Sequence, residues 1–274
     1  MIRIRRMSYK ISLLFIICAI PAYVSAQTTM GAREISLGQA TSALKESNWA
    51  IFGNPALLSS SSSTVGFYGL RNYGFAEITD MAAFGSLPTS VGIGALGFHR
   101  YGDNLFSETR IKLGYKNEWE LLHFGVTLNY NHISFGGVYG SGGAISMDVG
   151  LASQITEQLW IGAKATNLNR SSYEFSTDEE DLATDLSIGF SYNLEEQALL
   201  VVDVVKDVRF PVSYRGGLEV TIVEGFLGRA GITTEPLTYS FGFGYGKDFW
   251  EINVAVQQHY ALGLSPGFDI LINL

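Results

Sequence analysis

Apolar and polar residues alternate along much of the chain from residue 64 to the C-terminus. In 122–131 the even positions carry large apolar side chains and the odd positions carry polar residues or glycine, and 186–194 and 238–246 repeat this pattern. Because successive side chains of a strand point to opposite faces, the pattern predicts strands with one apolar and one polar face. No run of about 18 apolar residues follows residue 26, which excludes a membrane protein built from helices.

The connections distinguish a membrane barrel from a soluble β-sandwich, whose strands also alternate. Short and longer connections mostly alternate along the chain. A barrel with short turns at one end and longer loops at the other is typical of outer-membrane proteins. The longer connections are predicted at 101–107, 136–143, 168–183, 208–212, 235–237 and 259–265. Aromatic residues at both strand ends fit two membrane interfaces. The sequence therefore predicts an all-β fold, a transmembrane antiparallel β-barrel of fourteen strands. These strands are predicted at 64–73, 76–87, 90–100, 108–116, 121–135, 144–153, 158–167, 184–194, 198–207, 213–223, 226–234, 238–246, 248–258 and 266–274.

The first 26 residues have the features of a secretory signal peptide. Arg3, Arg5, Arg6 and Lys10 precede the apolar run 11–20, and a triplet of small residues ends at Ala26. This order predicts export and cleavage after Ala26. Removal of the segment takes away four basic residues and no acid, so the net charge of −8 becomes −12.

Charge and cysteine content exclude several classes of protein. Nucleic-acid binding needs clustered Lys and Arg, so an acidic chain is not expected to have a nucleic-acid partner. The only cysteine, Cys18, lies in the predicted signal peptide. Neither a disulfide framework nor a cysteine-based metal site is therefore possible in the mature chain.

Residues 27–63 do not alternate and carry two motifs. The first contains Gly31-Ala32-Arg33, followed by Gly38 and Ala40, and the second contains Asn54-Pro55-Ala56 after Trp49 and Ala50. Both motifs resemble the N-terminal region of the FadL-type outer-membrane transporter superfamily, particularly its PorV/PorQ-like branch. The resemblance implies that 27–63 folds into the lumen of the barrel 64–274 as a plug. The apolar residues of this segment argue against a disordered leader.

Several charged residues are predicted to face the barrel lumen because they fall on the polar face of their strands. Mixed charges inside a barrel are expected to pair with one another or with the plug, and a role in selectivity is the alternative. Trp160 is also predicted to face the lumen. The predicted lumen charges are Arg110, Lys112, Lys116, Asp148, Lys164, Asp203, Arg215, Glu219, Arg229 and Glu251.

Two other groups of residues have a chemical and a structural interpretation. His132 and Ser134 share one strand face and resemble the His–Ser pair of outer-membrane phospholipases, in which histidine activates the serine. No third residue is predicted to orient His132, so two polar residues on the outer face are the favoured interpretation. The acidic run 178–181 suggests a calcium site, but a solvated loop is the simpler reading. No metal site, cofactor or enzymatic activity is predicted.

The superfamily resemblance implies a function in the bacterial outer membrane. The main expectation is passive passage of small hydrophobic molecules, with the plug motifs, notably Asn54-Pro55-Ala56, gating access. The alternative comes from the PorV/PorQ-like branch, and is a non-transporting accessory barrel of a type IX protein-secretion system that docks partner proteins. Expected partners are outer-membrane lipid and either small hydrophobic ligands or secretion-system proteins.

Overall fold

A computed structural model describes residues 29–136, 140–175, 179–195 and 197–274 of the chain. The predicted signal peptide, residues 1–26, lies outside the described residues, and so do the first two residues of the predicted plug. Strands begin at Thr64 and continue to Asn273 near the C-terminus.

Fourteen antiparallel strands form a closed barrel, which confirms the predicted fold. Each strand pairs with its neighbours in sequence, apart from two short strands, β8 and β9, which form a hairpin between β7 and β10. Pairing of β1 with β16 closes the ring. The strands are β1 Thr64–Arg71, β2 Thr79–Thr89, β3 Gly92–Gly102, β4 Phe106–Trp119, β5 Leu122–Phe135, β6 Ser141–Gln154, β7 Leu159–Ala165, β8 Ser172–Glu174, β9 Glu179–Asp181, β10 Asp185–Leu194, β11 Ala198–Asp207, β12 Ser213–Val223, β13 Phe226–Thr234, β14 Leu237–Lys247, β15 Trp250–His259 and β16 Gly263–Asn273.

Most connections at the predicted long-loop end are shorter than the sequence suggests. The strands continue into the predicted loops, so that 103–105 joins β3 to β4 and 235–236 joins β13 to β14. Three connections are exceptions. The connection 72–78 is longer than the gap between the predicted strands 64–73 and 76–87, the connection 208–212 has its predicted length, and the connection 166–184 contains β8 and β9. The barrel therefore has little chain outside its wall at that end.

Burial alternates along the strands as the sequence predicts. On β14 the outer face carries Tyr239, Phe241 and Phe243, of which Phe241 is 60% exposed. The inner face of the same strand carries buried Thr238 and Ser240. Backbone polar groups cannot be left unpaired in lipid, and a closed barrel pairs them between strands. An apolar outer face around a paired backbone suits a membrane.

The segment 29–58 lies inside this barrel. Its one α-helix, α1 (Ala32–Ser36), contacts β13 to β16, whereas the 3-10 helices Asn48–Ile51 and Pro55–Leu57 contact β1 to β3 and β4 to β6. Two further 3-10 helices, Asn72–Gly74 and Ala76–Ile78, lie in the β1–β2 connection. Among the described residues, no helix is long and apolar enough to cross a membrane.

Glycines on the inner face of the wall leave the space that the segment 29–58 occupies. Methyl groups added to Gly217 or Gly231 would meet the backbone at Leu37, and one added to Gly162 would meet the backbone at Ser42. Glycine allows such close backbone approach because it has no Cβ. The glycines of the strands are thus a packing surface for the segment, which explains why so many occur within predicted strands.

Candidate functional site: the filled lumen

An aromatic cluster in the lumen joins the N-terminal segment to β1 and β2. Trp49 is 1% exposed, and its ring centroid lies 4.7 Å from Phe84, 5.6 Å from Tyr68 and 6.0 Å from Phe52. Edge-to-face contacts of this kind add to the free energy gained from burying the rings. These contacts fix the middle of the segment in an apolar region of the lumen.

Asn54 anchors the segment to the opposite side of the wall. Its side-chain nitrogen donates to Ser42 O at 2.6 Å, Leu151 O at 3.1 Å and Ala163 O at 3.3 Å, and its Oδ1 accepts from Ala56 N. It is fully buried, so each lost bond would leave a buried polar group without a partner. Asn54 therefore joins its own loop to β6 and β7, where the inner-face glycines leave space for it.

The turn 38–42 uses a carboxylate of the wall as its partner. Asp203 Oδ2 accepts from both Thr41 N and Ser42 N at 2.8 Å, and Ser42 Oγ donates to Ser187 Oγ at 2.9 Å. Gly38 has φ 65°, and its position lies against backbone atoms of β12 and β13. Only glycine adopts this conformation readily and also permits such close approach.

A ring of hydrogen bonds starts and ends on α1, and we call it the α1 ring. Arg33 binds Glu219 through two bonds of 2.9 Å, and the same carboxylate accepts from Arg229 at 2.5 Å. Arg229 then donates to Asn253 at 2.6 Å, Asn253 donates to Asp269 at 2.9 Å, and Asp269 accepts from Ala32 N at 2.6 Å. Bidentate and charge-assisted bonds are the stronger kinds in proteins. The ring ties α1 to β12, β13, β15 and β16.

A cavity of about 120 Å³ lies between α1 and this part of the wall. Glu34, Trp49 and Arg229 line it, and each has a buried polar atom without a hydrogen-bond partner in the described part of the chain: Oε2, Nε1 and Nη2, respectively. The other carboxylate oxygen of Glu34 accepts from Ser47 Oγ at 2.6 Å. Burial raises the pKa of Glu34 above its usual value. Gly31 lies against Glu34 and Trp49, and its φ of 102° requires glycine.

The predicted lumen charges differ in their partners. Lys112 pairs with Asp148 at 2.7 Å, Lys116 donates to Leu58 O at 2.8 Å, and Arg215 donates to Gln39 O at 3.2 Å. Arg110 pairs with Glu108 at 2.9 Å. Glu219 binds Arg33 of α1 and Asp203 binds the following turn, whereas Arg229 binds Glu219 and Asn253 of the wall. Glu251 accepts from Asn253 at 2.8 Å. Lys164 has no ion pair or hydrogen bond within the described residues.

A polar cluster at the long-loop end was not predicted from the sequence. His99 Nε2 lies 2.7 Å from Asp80 Oδ1, and Asn72 donates to Asp80 Oδ2 at 2.7 Å. All three are buried. Asp80 and His99 lie on β2 and β3, where the alternation is weakest. Asp80 is two residues from Ala82, and His99 is two residues from Gly97. Because residues two apart on a strand share a face, this spacing could have placed both side chains in the lumen.

Strand pairing on one side of β6 covers only part of its length. β7 ends at Ala165, so the first half of β6 has no full strand beside it on that side, and only Gly143 pairs with β8. Asn169 takes the place of a strand there: its Oδ1 accepts from Met147 N at 3.0 Å, and its Nδ2 donates to Ile145 O at 3.0 Å. Ser171 also bonds to Ile145 O. A groove of about 560 Å³ lies beside this part of β6.

The β8–β9 hairpin packs over the inner face of β5 and β6 near the same place. Tyr173 is 5% exposed and packs with Ile133 and Ala144, which face the lumen, and burial raises its pKa to about 12. Phe135 and Phe175 extend this apolar cluster. The hairpin thus covers part of the lumen at the long-loop end.

The remaining predicted residues lie apart from the lumen contacts. His132 and Ser134 are on the outer face of β5, and His132 stacks on Tyr130. Trp160 is buried on the inner face and lies 4.9 Å from His123 between ring centroids. Asp178 lies outside the described residues. Within the described ranges, no group of three or more His, Cys, Asp or Glu side chains is arranged to hold a metal ion.

A closed fourteen-strand barrel whose lumen is filled by its own N-terminal segment defines the class of protein. The toluene transporter TodX of P. putida has a similar structure, with a TM-score of 0.67 at 13% identity over 90% of this chain and 99% of TodX. The monoaromatic hydrocarbon channel CymD gives 0.68 at 11% identity, covering 92% and 99%, and a FadL homologue from Pseudomonas aeruginosa gives 0.56 at 10%, covering 89% and 96%. No family model matches the chain, and no curated protein matches it. At these identities the similarity establishes the fold.

Proposed function

We propose that the chain is a passive conduit for small hydrophobic molecules in the bacterial outer membrane. We further propose that residues 27–63 form its plug and that the contacts of Asn54-Pro55-Ala56 gate it. The similar barrels include a toluene transporter and a monoaromatic hydrocarbon channel, which supports small aromatic hydrocarbons as the first molecules to test. No observation on the described residues favours the alternative of an accessory barrel in a secretion system.

The break in the wall beside β6 is the observation that carries the proposal. A hydrophobic molecule gains nothing by entering a water-filled pore, but it can pass sideways between lumen and lipid if the wall opens. The backbone N–H of Leu168 and the side chains of Asn169 and Ser171, rather than a full strand, satisfy the edge of β6 there. Breaking one backbone bond and rotating two side chains exposes such an edge more readily than separation of two paired strands. The same strands, β6 and β7, receive the bonds from Asn54.

A disulfide that fixes the plug to the wall tests the proposal. Ser42 Oγ and Ser187 Oγ lie 2.9 Å apart, a separation compatible with a disulfide after both serines are replaced by cysteine. The mature chain has no other cysteine. We expect cells that express the Ser42→Cys/Ser187→Cys variant to take up labelled toluene slowly when oxidised and at the unsubstituted rate after reduction. The two single-cysteine variants serve as matched controls and should be insensitive to the oxidant.

Two results would contradict different parts of the proposal. Uptake no faster than that of cells lacking the protein would refute the conduit. Uptake that is fast and equal in the oxidised and reduced double variant, with the disulfide verified by mass, would refute gating by the plug while leaving a conduit through the barrel.

A further inference from the structure

Acidic groups outnumber basic groups where α1 meets the wall. Arg33 and Arg229 both bind Glu219, and Arg229 lies 3.9 Å from Glu251. Glu34 and Asp269 are 2% and 0% exposed, and neither forms an ion pair within the described residues. Transfer of an unpaired carboxylate from water into a protein interior is costly, and binding a proton removes most of that cost.

Glu34 and Asp269 are electrostatically coupled through the N-terminal end of α1. Asp269 accepts the backbone bond from Ala32, two residues before Glu34, and the charge of Glu34 acts directly on Asp269. When two carboxylates share a buried site, ionisation of one opposes ionisation of the other. Oε2 of Glu34 also points into the cavity beside α1 without a partner. A proton on this oxygen would remove the charge that the site cannot balance.

We propose that Glu34 and Asp269 form a proton-binding site, and that proton loss from this site releases α1 from the wall. The inference rests on the proposed plug, because it assigns a control to the movement of that segment. Charged and titratable groups face Glu34 from each neighbouring element: Arg33 on α1, Glu46 on the following loop, Tyr68 on β1, Glu219 on β12, Arg229 on β13, Glu251 on β15 and Asp269 on β16. The described inner face of β14 offers only uncharged residues to α1.

The direction of the pH effect follows from burial. We call α1 seated when it lies against the wall as in this structure. In the seated position Glu34 binds its proton more tightly than a glutamate in water does, because burial raises the pKa of Glu34. An acid with a raised pKa in one state favours that state at low pH and loses this contribution as the pH rises above the ordinary value. The seated position is therefore favoured by acid and weakened toward neutral and alkaline pH.

Thiol labelling of a cysteine on α1 measures the release. Ser36 is fully buried, and Ser36→Cys introduces the sole cysteine of the mature chain. The labelling rate of this variant in intact outer membranes is divided by the rate in the same variant carrying Glu34→Gln and Asp269→Asn. The reporter thiol is identical in both proteins, so its own ionisation cancels in the ratio. We expect this ratio to rise as the pH rises from 5 to 9. The total rise should be about tenfold for each pH unit that separates the pKa of Glu34 against the wall from its ordinary value.

A matched control separates this site from charge in general. Glu77→Gln removes the same charge from an exposed residue of the β1–β2 connection, outside the cavity, and should leave the pH profile unchanged. A ratio that stays flat from pH 5 to pH 9 would overturn the proposal. Fast labelling of the Gln/Asn variant at every pH would also overturn it, because the seated position would then need ionised carboxylates. Labelling does not require transport, so a protein that takes up no hydrocarbon still gives a decisive result.

Discussion

Gly125 offers the most direct test of the close fit between the N-terminal segment and the wall. It lies on β5, and a methyl group at its Cβ position would lie 2.5 Å from the carbonyl oxygen of Pro55. That methyl group would lie closer still to the carbonyl carbon of Pro55 and to Ala56 N. All three are backbone atoms, so no side-chain rotation relieves the clash. Gly125→Ala must therefore displace either β5 or the segment.

We expect the N-terminal segment, rather than β5, to be displaced. β5 is paired on both sides along nearly its whole length, with β4 and with β6, and its displacement would break two ladders of backbone bonds. Overpacking of a filled interior costs about 1–3 kcal/mol. If the barrel keeps its shape, this free energy shifts the segment toward its displaced position by about 5- to 150-fold.

The displaced population can be measured with a single cysteine at Ser42, which is fully buried in the lumen. We expect the thiol of the Ser42→Cys variant to react about 5- to 150-fold faster when Gly125→Ala is added. Gly94→Ala is the matched control, because a methyl group there has no heavy atom within 4 Å. Equal rates in the three proteins would refute the reasoning. Loss of the folded barrel, seen as loss of heat-modifiable migration on gels, would show that the segment and the wall are not separable.

Three further predictions concern other contacts of the lumen. Asn54→Ala removes the bonds to Ser42 O, Leu151 O and Ala163 O, and should destabilise the seated segment by about 1–3 kcal/mol, measured by the same labelling of a buried cysteine. Glu219→Gln leaves the buried Arg229 and the half-buried Arg33 without their shared carboxylate, and should cost about 3–5 kcal/mol and release α1 at every pH. Tyr173 should ionise only near pH 12 by ultraviolet titration. The packing of its hairpin should accordingly weaken between about pH 10 and pH 12, because the folded state holds the phenolic proton more tightly, and Tyr173→Phe should abolish that loss of protease protection.

The strands could be predicted from the sequence because their signal is local. In β10 and β14 each large apolar residue is followed by a small or polar one, and the predicted bounds agree with the structure to within a residue. The hairpin of β8 and β9 was missed because strands of three residues are too short to show a period. The predicted loop 101–107 is mostly strand because Tyr101 and Phe106 extend β3 and β4 toward their ends.

The partners of the lumen residues depend on information that a strand pattern does not contain. The alternation places Lys112 and Asp148 on inner faces, but their contact depends on how β5 aligns β4 with β6. The bond between Arg33 and Glu219 joins residues far apart in sequence, and nothing near either residue predicts it. The cavity beside α1 likewise arises only when segment and wall are brought together.

The two anchors of the segment differ in how solvent can replace them, and this difference determines which part moves first. Asn54 sits against glycine backbone of the wall, and Gly150 has no room for even a methyl group beside it. Water cannot enter such a contact without moving the strands. α1 is instead held by ion pairs and carboxylates beside a cavity of about 120 Å³, where water can replace each partner in turn. Release should therefore begin at α1 and reach the gating contacts of Asn54 second. A cysteine at Ser36 should then become reactive under milder conditions than one at Ser42, which lies next to the Asn54 contact. The reverse order would show that close packing, rather than the α1 ring, is the weaker anchor.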